Sequence, residues 1–346
     1  MSRSSIFSFD TLKPDRKLPA RLLESVAVLL VVEFGLARQD WTWGWIAQSP
    51  SGIFDAIETQ LIEPAEGLQV VVMGSSRIQD GVSPRGLEKE LGLPEGSAIS
   101  LAMTSGRPFD ALMLYERHRE KFSKARVLVM EVAEFQFNGG FSPSERERRF
   151  ATLDQRLSLY DPQNTRSMLA GWVWRTYDAQ GPLRRLIKSA VKKPVTKLAL
   201  TEDGRINWRN KTLEEGPETI DAAPSVHKMY HRFYMSQARL ENLHKLVELA
   251  REDGLDVMLV QMPVRDSFVD IVEKKHADDY AAFVAATDKV PGVRLHRWVR
   301  GSELGLKPTD YYDYGHVTNR GSRAITTALG QKIKADFPGA FKAAKP

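Results

Sequence analysis

Five short apolar runs recur along the chain, at 70–73, 98–101, 126–132, 256–262 and 293–296. The run at 70–73 is unbroken, and such a run of Val and Met is typical of a strand buried in a parallel sheet. Between and after them lie stretches whose apolar residues follow helical spacing, at 84–90, 108–121, 235–252, 277–288 and 318–336. Strands that alternate with helices predict an α/β fold, with a parallel sheet covered by helices on both faces.

The alternation of strands and helices is interrupted between residues 139 and 230. This stretch is rich in Arg, Lys, Gly and Pro, with helical pieces such as 169–177, and it is too long for an ordinary connection. We interpret it as an insertion over the active-site face. It serves either as a structural cap or as a lid or substrate-binding element.

The N-terminal region has a different pattern. Basic residues in 1–21 precede an apolar stretch, which is followed by Trp41, Trp43 and Trp45. This order predicts a cytoplasmic tail at 1–21 and a transmembrane anchor with an aromatic collar at 22–45. A linker at 46–66 with one short helix would then lead to an extracytoplasmic domain at 67–346. A cleaved signal peptide and an amphipathic or buried helix are the alternatives, because Glu24 and Glu33 interrupt the apolar stretch.

The composition limits the class of protein and the kinds of site that are expected. The 346 residues, 42% of them hydrophobic, suit one globular domain with extensions, and the net charge of +5 is mild. No basic and aromatic residues interleave in the way that nucleic-acid binding requires, so no nucleic-acid partner is expected. There is no cysteine, which excludes disulfides and Cys-based metal sites.

Two motifs near opposite ends of the domain carry candidate chemistry. Gly74-Ser75-Ser76 ends the first predicted strand, and Asp313-Tyr314-Gly315-His316 precedes the last predicted helix. A serine hydroxyl becomes a nucleophile when a base accepts its proton and a carboxylate fixes the tautomer of that base. His316 is the natural base and Asp313 its partner. Because Asp313 is only three residues earlier, one short turn can supply the contact.

These motifs resemble those of the SGNH (GDSL-type) hydrolase superfamily, in particular its membrane-anchored envelope O-acyltransferases and esterases. The resemblance implies a three-layer α/β/α, flavodoxin-like sheet. It makes Ser76 the nucleophile, with Ser75 as the alternative, and it assigns Asp313 and His316 to the last conserved block of the family. The backbone amides of Ser76 and Gly106 would then hold the oxyanion.

The third block of the family is where this chain departs. The family has Gly-x-Asn-Asp after the third strand, whereas the chain has the sequence EVAEFQFN from Glu131 to Asn138. Asn138 is the candidate for the missing side-chain donor, and Glu134 is a poor one unless protonated. Loss of one oxyanion donor typically lowers the rate by ~10²–10³.

Two functions follow. The first is an extracytoplasmic, membrane-anchored serine esterase or O-acyltransferase that acts on acyl esters of an envelope polysaccharide or glycoconjugate. It would need no metal or organic cofactor, and an acyl-donating membrane protein is a possible partner. The second is an SGNH-fold binding or scaffold component of an envelope assembly, with reduced or lost catalysis.

Overall fold

The computed structural model describes residues 17–38, 50–158, 165–181, 183–184, 187, 199–207 and 214–341. Seven strands lie in this part of the chain: β1 (Val70–Met73), β2 (Ala98–Ser100), β3 (Val127–Glu131), β4 (Ala199–Leu200), β5 (Ile206–Asn207), β6 (Asp256–Gln261) and β7 (Arg294–Arg297).

Five strands form one parallel sheet in the order β2-β1-β3-β6-β7. Val71 lies opposite Ile99 on one side and Leu128 on the other. The chain moves from β1 outward to β2, then returns to the other side of β1 with β3. In open α/β sheets such a reversal leaves a crevice at the carboxyl ends of the two strands, and ligands bind there.

The helices are α1 (Lys17–Val31), α2 (Pro50–Ile57), α3 (Ser76–Gly81), α4 (Pro84–Leu91), α5 (Pro108–Arg117), α6 (Arg119–Phe122), α7 (Glu134–Phe137), α8 (Glu145–Phe150), α9 (Leu153–Ser158), α10 (Thr165–Val173), α11 (Arg175–Asp178), α12 (Ala223–Tyr230), α13 (Gln237–Glu252), α14 (Asp266–Lys275), α15 (Ala277–Thr287) and α16 (Asn319–Asp336). π-helical turns follow α1 (Val32–Ala37) and α2 (Glu58–Ile62), and 3-10 turns cover Gly301–Leu304 and Pro308–Asp310.

Both faces of the sheet are covered. On one face, strand residues such as Val71 and Leu128 pack with α2, α5, α13 and α15. On the other face, strand residues such as Val72 and Val129 pack with α3, α4 and α16. The predicted α/β class with a parallel sheet is therefore confirmed, and the arrangement agrees with three layers. Each predicted strand overlaps an observed one, and Ser83 begins α4 as an N-cap, accepting from Gly86 N–H.

The anchor predicted at 22–45 lies only in part within the described residues. Among the residues described, no helix combines the length and the apolar character that crossing a membrane requires. α1 has 15 residues, and Glu33, in the π-helical turn after it, contacts the insertion. Glu33 is completely buried and accepts hydrogen bonds from the backbone N–H groups of Arg175 and Thr176, at 2.9 and 2.7 Å. The aromatic collar lies outside the described residues.

The stretch predicted as a linker contributes to the core. It contains the predicted short helix, α2, and the side chains of Phe54, Ile57 and Ile62 are buried in the apolar cluster under the sheet. In the predicted insertion, short helices α8 to α11, the hairpin β4–β5 and helix α12 are described. The predicted helical piece at 169–177 corresponds to parts of α10 and α11.

Candidate functional site

The site begins at a tight turn that only glycine fits. Gly74 follows β1 with φ +147°, and a Cβ built on it would lie 2.5 Å from Cβ of Glu131. The absence of a side chain therefore lets the end of β1 approach the end of β3 closely. The turn lies at the carboxyl ends of β1 and β3, which is the crevice that the strand order creates.

Ser75 is the N-cap of α3 and is held from two sides. Its hydroxyl accepts from Arg77 N–H at 3.1 Å and donates to Glu131 Oε1 at 3.0 Å, while its backbone N–H donates to Glu131 Oε2 at 2.5 Å. Both Ser75 and Glu131 are fully buried. Ser75, the alternative nucleophile, is thus placed as a structural cap that fixes the residue after it.

Ser76 is the first residue of α3 and meets the two residues predicted from the other end of the domain. Its Oγ lies 2.7 Å from His316 Nε2, and His316 Nδ1 lies 2.7 Å from Asp313 Oδ2. Ser76 and His316 are both about 8% exposed. The structure therefore brings the three predicted residues into one line of hydrogen-bonding contacts.

A narrow loop between the last 3-10 turn and α16 holds the histidine. Tyr311 and Val317 pair as an antiparallel bridge across it, and the ring of Tyr312 stacks on His316 with centroids 5.6 Å apart. Asp313 Oδ1 accepts from the backbone N–H of His316 at 2.8 Å. These contacts fix both the position and the tilt of the imidazole.

The carboxylate of Asp313 is kept ionised by its neighbours. Burial alone would raise its pKa, but the hydrogen bond and the charge of His316, with backbone N–H groups of Gly315 and His316, lower the pKa to about 2. Asp313 is therefore an anion throughout the range in which an imidazole titrates. An anionic partner stabilises the imidazolium that forms when histidine accepts a proton.

Arg77, the residue after the candidate nucleophile, is buried beneath the site. Its guanidinium lies 3.4 Å from Glu134 and over the rings of Phe135, Phe268 and Tyr314. Burial opposes the charge, but Glu134, Tyr314 and Glu131 outweigh it and raise the pKa of Arg77. The arginine thus joins α3, the segment after β3 and the histidine loop through one permanently charged group.

Gly106, predicted as an oxyanion donor, is placed differently. Its N–H donates to Met103 O at 2.8 Å within a turn. A Cβ on Gly106 would lie 2.1 Å from Gly74 O, so the residue must be glycine for its loop to reach the turn after β1. The arrangement gives Gly106 a packing role and gives its amide a partner other than substrate.

Asn138, the predicted side-chain donor, is also engaged elsewhere. Its Nδ2 donates to the carbonyls of Met229 and His231, at 2.8 and 3.3 Å, and its Oδ1 accepts from Gly140 N–H. Asn138 is fully buried and fastens the two ends of the insertion together. The physical reason is distance along the chain, because α7 separates Asn138 from the end of β3.

The backbone N–H of Ser76, the remaining predicted oxyanion donor, stays a prediction. It belongs to the first turn of α3, where amides have no partner within the helix. Gln136, which the sequence did not single out, joins the segment after β3 to the Gly106 loop. It donates to Gly106 O at 3.0 Å and accepts from Ala133 N–H at 2.8 Å. Its polar character inside an apolar segment was the available signal.

Comparison with protein-family models finds none that matches this chain, and no curated protein matches it significantly. The resemblance to SGNH hydrolases therefore stays an expectation from the residues of the two motifs.

Proposed function

We propose that the chain is an SGNH-type serine esterase or O-acyltransferase with Ser76 as nucleophile. The observation that carries this proposal is the contact line from Ser76 Oγ through His316 to Asp313, with 2.7 Å at each step. Two further features support it. The strand order is that of flavodoxin-like sheets, and the serine lies at the crevice where such sheets bind ligands.

In the first half of the reaction, Ser76 Oγ attacks the carbonyl carbon of an acyl ester, and its proton passes to His316 Nε2. The resulting imidazolium is stabilised by the Asp313 carboxylate across the Nδ1 contact. The Ser76 N–H donates to the oxyanion of the tetrahedral intermediate. His316 then gives the proton to the departing alcohol oxygen, the ester C–O bond breaks, and the acyl group stays on Ser76.

In the second half, another hydroxyl resolves the acyl-enzyme. His316 Nε2 accepts its proton as its oxygen attacks the acyl carbon, and the proton returns to Ser76 Oγ when the bond to serine breaks. With water the outcome is hydrolysis, and with a sugar hydroxyl it is transfer. An envelope polysaccharide or glycoconjugate as acceptor, with an extracytoplasmic location at a membrane, is implied by the family resemblance.

The test is labelling by a fluorophosphonate probe, which reacts with activated serines. Ser75→Ala is the matched control, because it removes a neighbouring hydroxyl that bonds to Glu131 instead of histidine. We expect labelling of the parent protein and of Ser75→Ala, and none of Ser76→Ala. Folded protein that takes up no probe in any form would contradict the proposal.

A second function is favoured by the engagement of Gly106 and Asn138. With one predicted oxyanion donor remaining, the domain could serve as a binding or scaffold component of an envelope assembly. This alternative predicts that the protein binds an acidic polysaccharide or a partner equally well with Ser76 or Ala at position 76. Ester turnover that depends on Ser76 would remove it.

A further inference from the structure

Helix α3 carries Ser76 in its first turn, and two later residues of the same helix contact the loop that carries His316. Ser76 and His316 are 240 residues apart in the chain, yet Ser76 Oγ and His316 Nε2 lie 2.7 Å apart. This distance therefore depends on contacts between α3 and the histidine loop. Arg77 and Asp80 make such contacts.

The contact of Asp80 is with Tyr312, and both residues are partly buried. The Tyr312 hydroxyl donates a hydrogen bond to Asp80 Oδ2. The Tyr312 ring stacks on the His316 imidazole, with an angle of 13° between the two planes. One aromatic side chain thus contacts the helix of the nucleophile through its hydroxyl and the candidate base through its ring.

Tyr312 is also joined to His316 through the backbone. The Tyr312 N–H donates to His316 O at 3.0 Å, and the neighbouring residue Tyr311 pairs with Val317 across the loop. Because ring and backbone of Tyr312 both contact His316, a shift of Tyr312 relative to α3 would also shift the imidazole relative to Ser76.

Arg77 contacts the same loop after Asp313, whereas Tyr312 precedes Asp313. The Arg77 guanidinium lies 5.6 Å from the centroid of the Tyr314 ring, and a Cβ built on Gly315 would lie 3.1 Å from Arg77 Nε. Helix α3 therefore contacts the histidine loop both before and after the residue that orients the base.

The last turn of α3 is held by the hairpin of the insertion. Arg205, the residue before β5, donates to the carbonyls of Gln79 and Asp80, at 3.0 and 2.7 Å. A positive charge at the carboxyl end of a helix is favourable, because the carbonyl groups there have no partner within the helix. The backbone of Asp80 is thus held independently of its side-chain contact with Tyr312.

We propose that Asp80 is a positioning residue for His316 and acts through Tyr312. Its carboxylate accepts the hydrogen bond of the phenol, and the stacked ring keeps the imidazole at its distance from Ser76. Displacement of a catalytic group by ~1 Å can lower a rate ~10²-fold, so the loss of this contact should be visible in kcat. The inference rests on the proposed function, because it concerns the same reaction.

The experiment measures kcat and KM of the full chain for hydrolysis of p-nitrophenyl acetate, together with the rate of labelling by the fluorophosphonate probe. The test variants are Tyr312→Phe, which keeps the stacked ring and removes the hydroxyl, Asp80→Ala, Asp80→Asn and the double variant Asp80→Ala/Tyr312→Phe. The matched control is Tyr115→Phe. It removes the hydrogen bond from Tyr115 to Asp253, at 2.8 Å, where Asp253 precedes the amino end of β6 at the opposite edge of the sheet.

We expect Tyr312→Phe and Asp80→Ala each to lower kcat and the labelling rate by roughly tenfold, with KM nearly unchanged. The double variant should be no slower than either single variant, because both remove the same contact. Asp80→Asn should recover most of the loss, since its amide oxygen can still accept from the phenol. Tyr115→Phe should keep the parental kcat.

Three results would overturn the inference while leaving the proposed function intact, provided that labelling of the parent requires Ser76. The first is a parental kcat and labelling rate in Tyr312→Phe. The second is an Asp80→Asn variant as slow as Asp80→Ala, because the aspartate would then act by its charge. The third is an equal loss in Tyr115→Phe, because general destabilisation would then explain the effect. A parent protein that is folded and takes up no probe would contradict the proposed function and this inference together.

Discussion

The sheet and the insertion are stabilised in opposite ways. Between the sheet and its helices the interior is apolar, as at Val71 and Leu128. Where the insertion meets α5 the interior is charged, because Arg146 on α8 forms an ion pair with Asp110 on α5 at 2.8 Å, both side chains being 2% exposed. Burial of an apolar side chain is favourable with any apolar neighbour, whereas a buried charge needs one particular partner.

This difference separates what each region can contribute. The serine turn follows β1 of the apolar sheet, and the histidine loop lies beside that turn, with Ser76 Oγ and His316 Nε2 2.7 Å apart. The insertion depends on specific pairs such as Arg156 and Asp178, at 3.0 Å, and it also contributes exposed apolar side chains such as Trp172 and Val173. We therefore expect substitutions near the serine turn to change catalytic rates. Substitutions in the insertion should change stability instead, where they remove one partner of a buried ion pair.

The largest expected effect is a loss of catalytic rate when the base beside the serine turn is removed. His316→Ala removes the group that would accept the Ser76 proton, so kcat for ester hydrolysis should fall by ~10³–10⁴ while KM changes little. His296→Ala is the matched control, because His296 also contacts an aspartate, Asp336, but lies on β7 away from Ser76. If both variants retained the parental kcat, the contacts from Ser76 through His316 to Asp313 would have no catalytic role.

The next effect tests the charged interior of the insertion. Arg146→Met leaves the Asp110 carboxylate buried without its ion-pair partner, which should lower the free energy of unfolding by ~3–5 kcal/mol in urea titration. Arg146→Met/Asp110→Asn removes the stranded charge and should recover part of that loss. Additive losses in the double variant would mean that the pair contributes nothing beyond its separate residues.

The sheet and the two chemical motifs could be predicted from the sequence because their signals are local. An apolar run ends in Gly-Ser-Ser, and Asp-x-x-His fits within one turn. Gly106 and Asn138 could not be assigned correctly, because the approach of Gly106 to Gly74 O and the contacts of Asn138 with the carbonyls near α12 depend on how loops meet in space. Helix α14 was not predicted although Phe268, Val269 and Val272 follow helical spacing, and they are buried.

The N-terminal stretch shows the same limit. Its apolar composition predicted an anchor, and Glu33 was the residue that did not fit. In the structure Glu33 accepts hydrogen bonds from the start of α11, 142 residues further along the chain. Such a long-range partner leaves no periodic signal in the sequence.

A smaller effect depends on pH and sharpens the account of the site. Asp313 has a pKa of about 2, below its ordinary value of 3.8, so its ionised form stabilises the folded state. That contribution is complete above pH ~4 and is lost as pH falls through about 2. The melting temperature of Asp313→Asn should therefore lie below that of the parent at pH 6, and the difference should shrink toward pH 2. Asp278→Asn, at an exposed position on α15, is the control for the loss of one carboxylate.

The smallest effect compares one substitution in the two regions. Ser83 caps α4 in the sheet domain by accepting from Gly86 N–H, and Ser144 caps α8 in the insertion by accepting from Glu147 N–H, each at 3.0 Å. Loss of such a cap costs about 1 kcal/mol. If the buried ion pairs make the two regions one cooperative unit, both alanine variants should lower the same urea midpoint by similar amounts. The contrary result is that only Ser83→Ala lowers that midpoint, while Ser144→Ala instead makes the insertion more sensitive to protease. The ion pairs between the two regions would then be weaker than their distances imply.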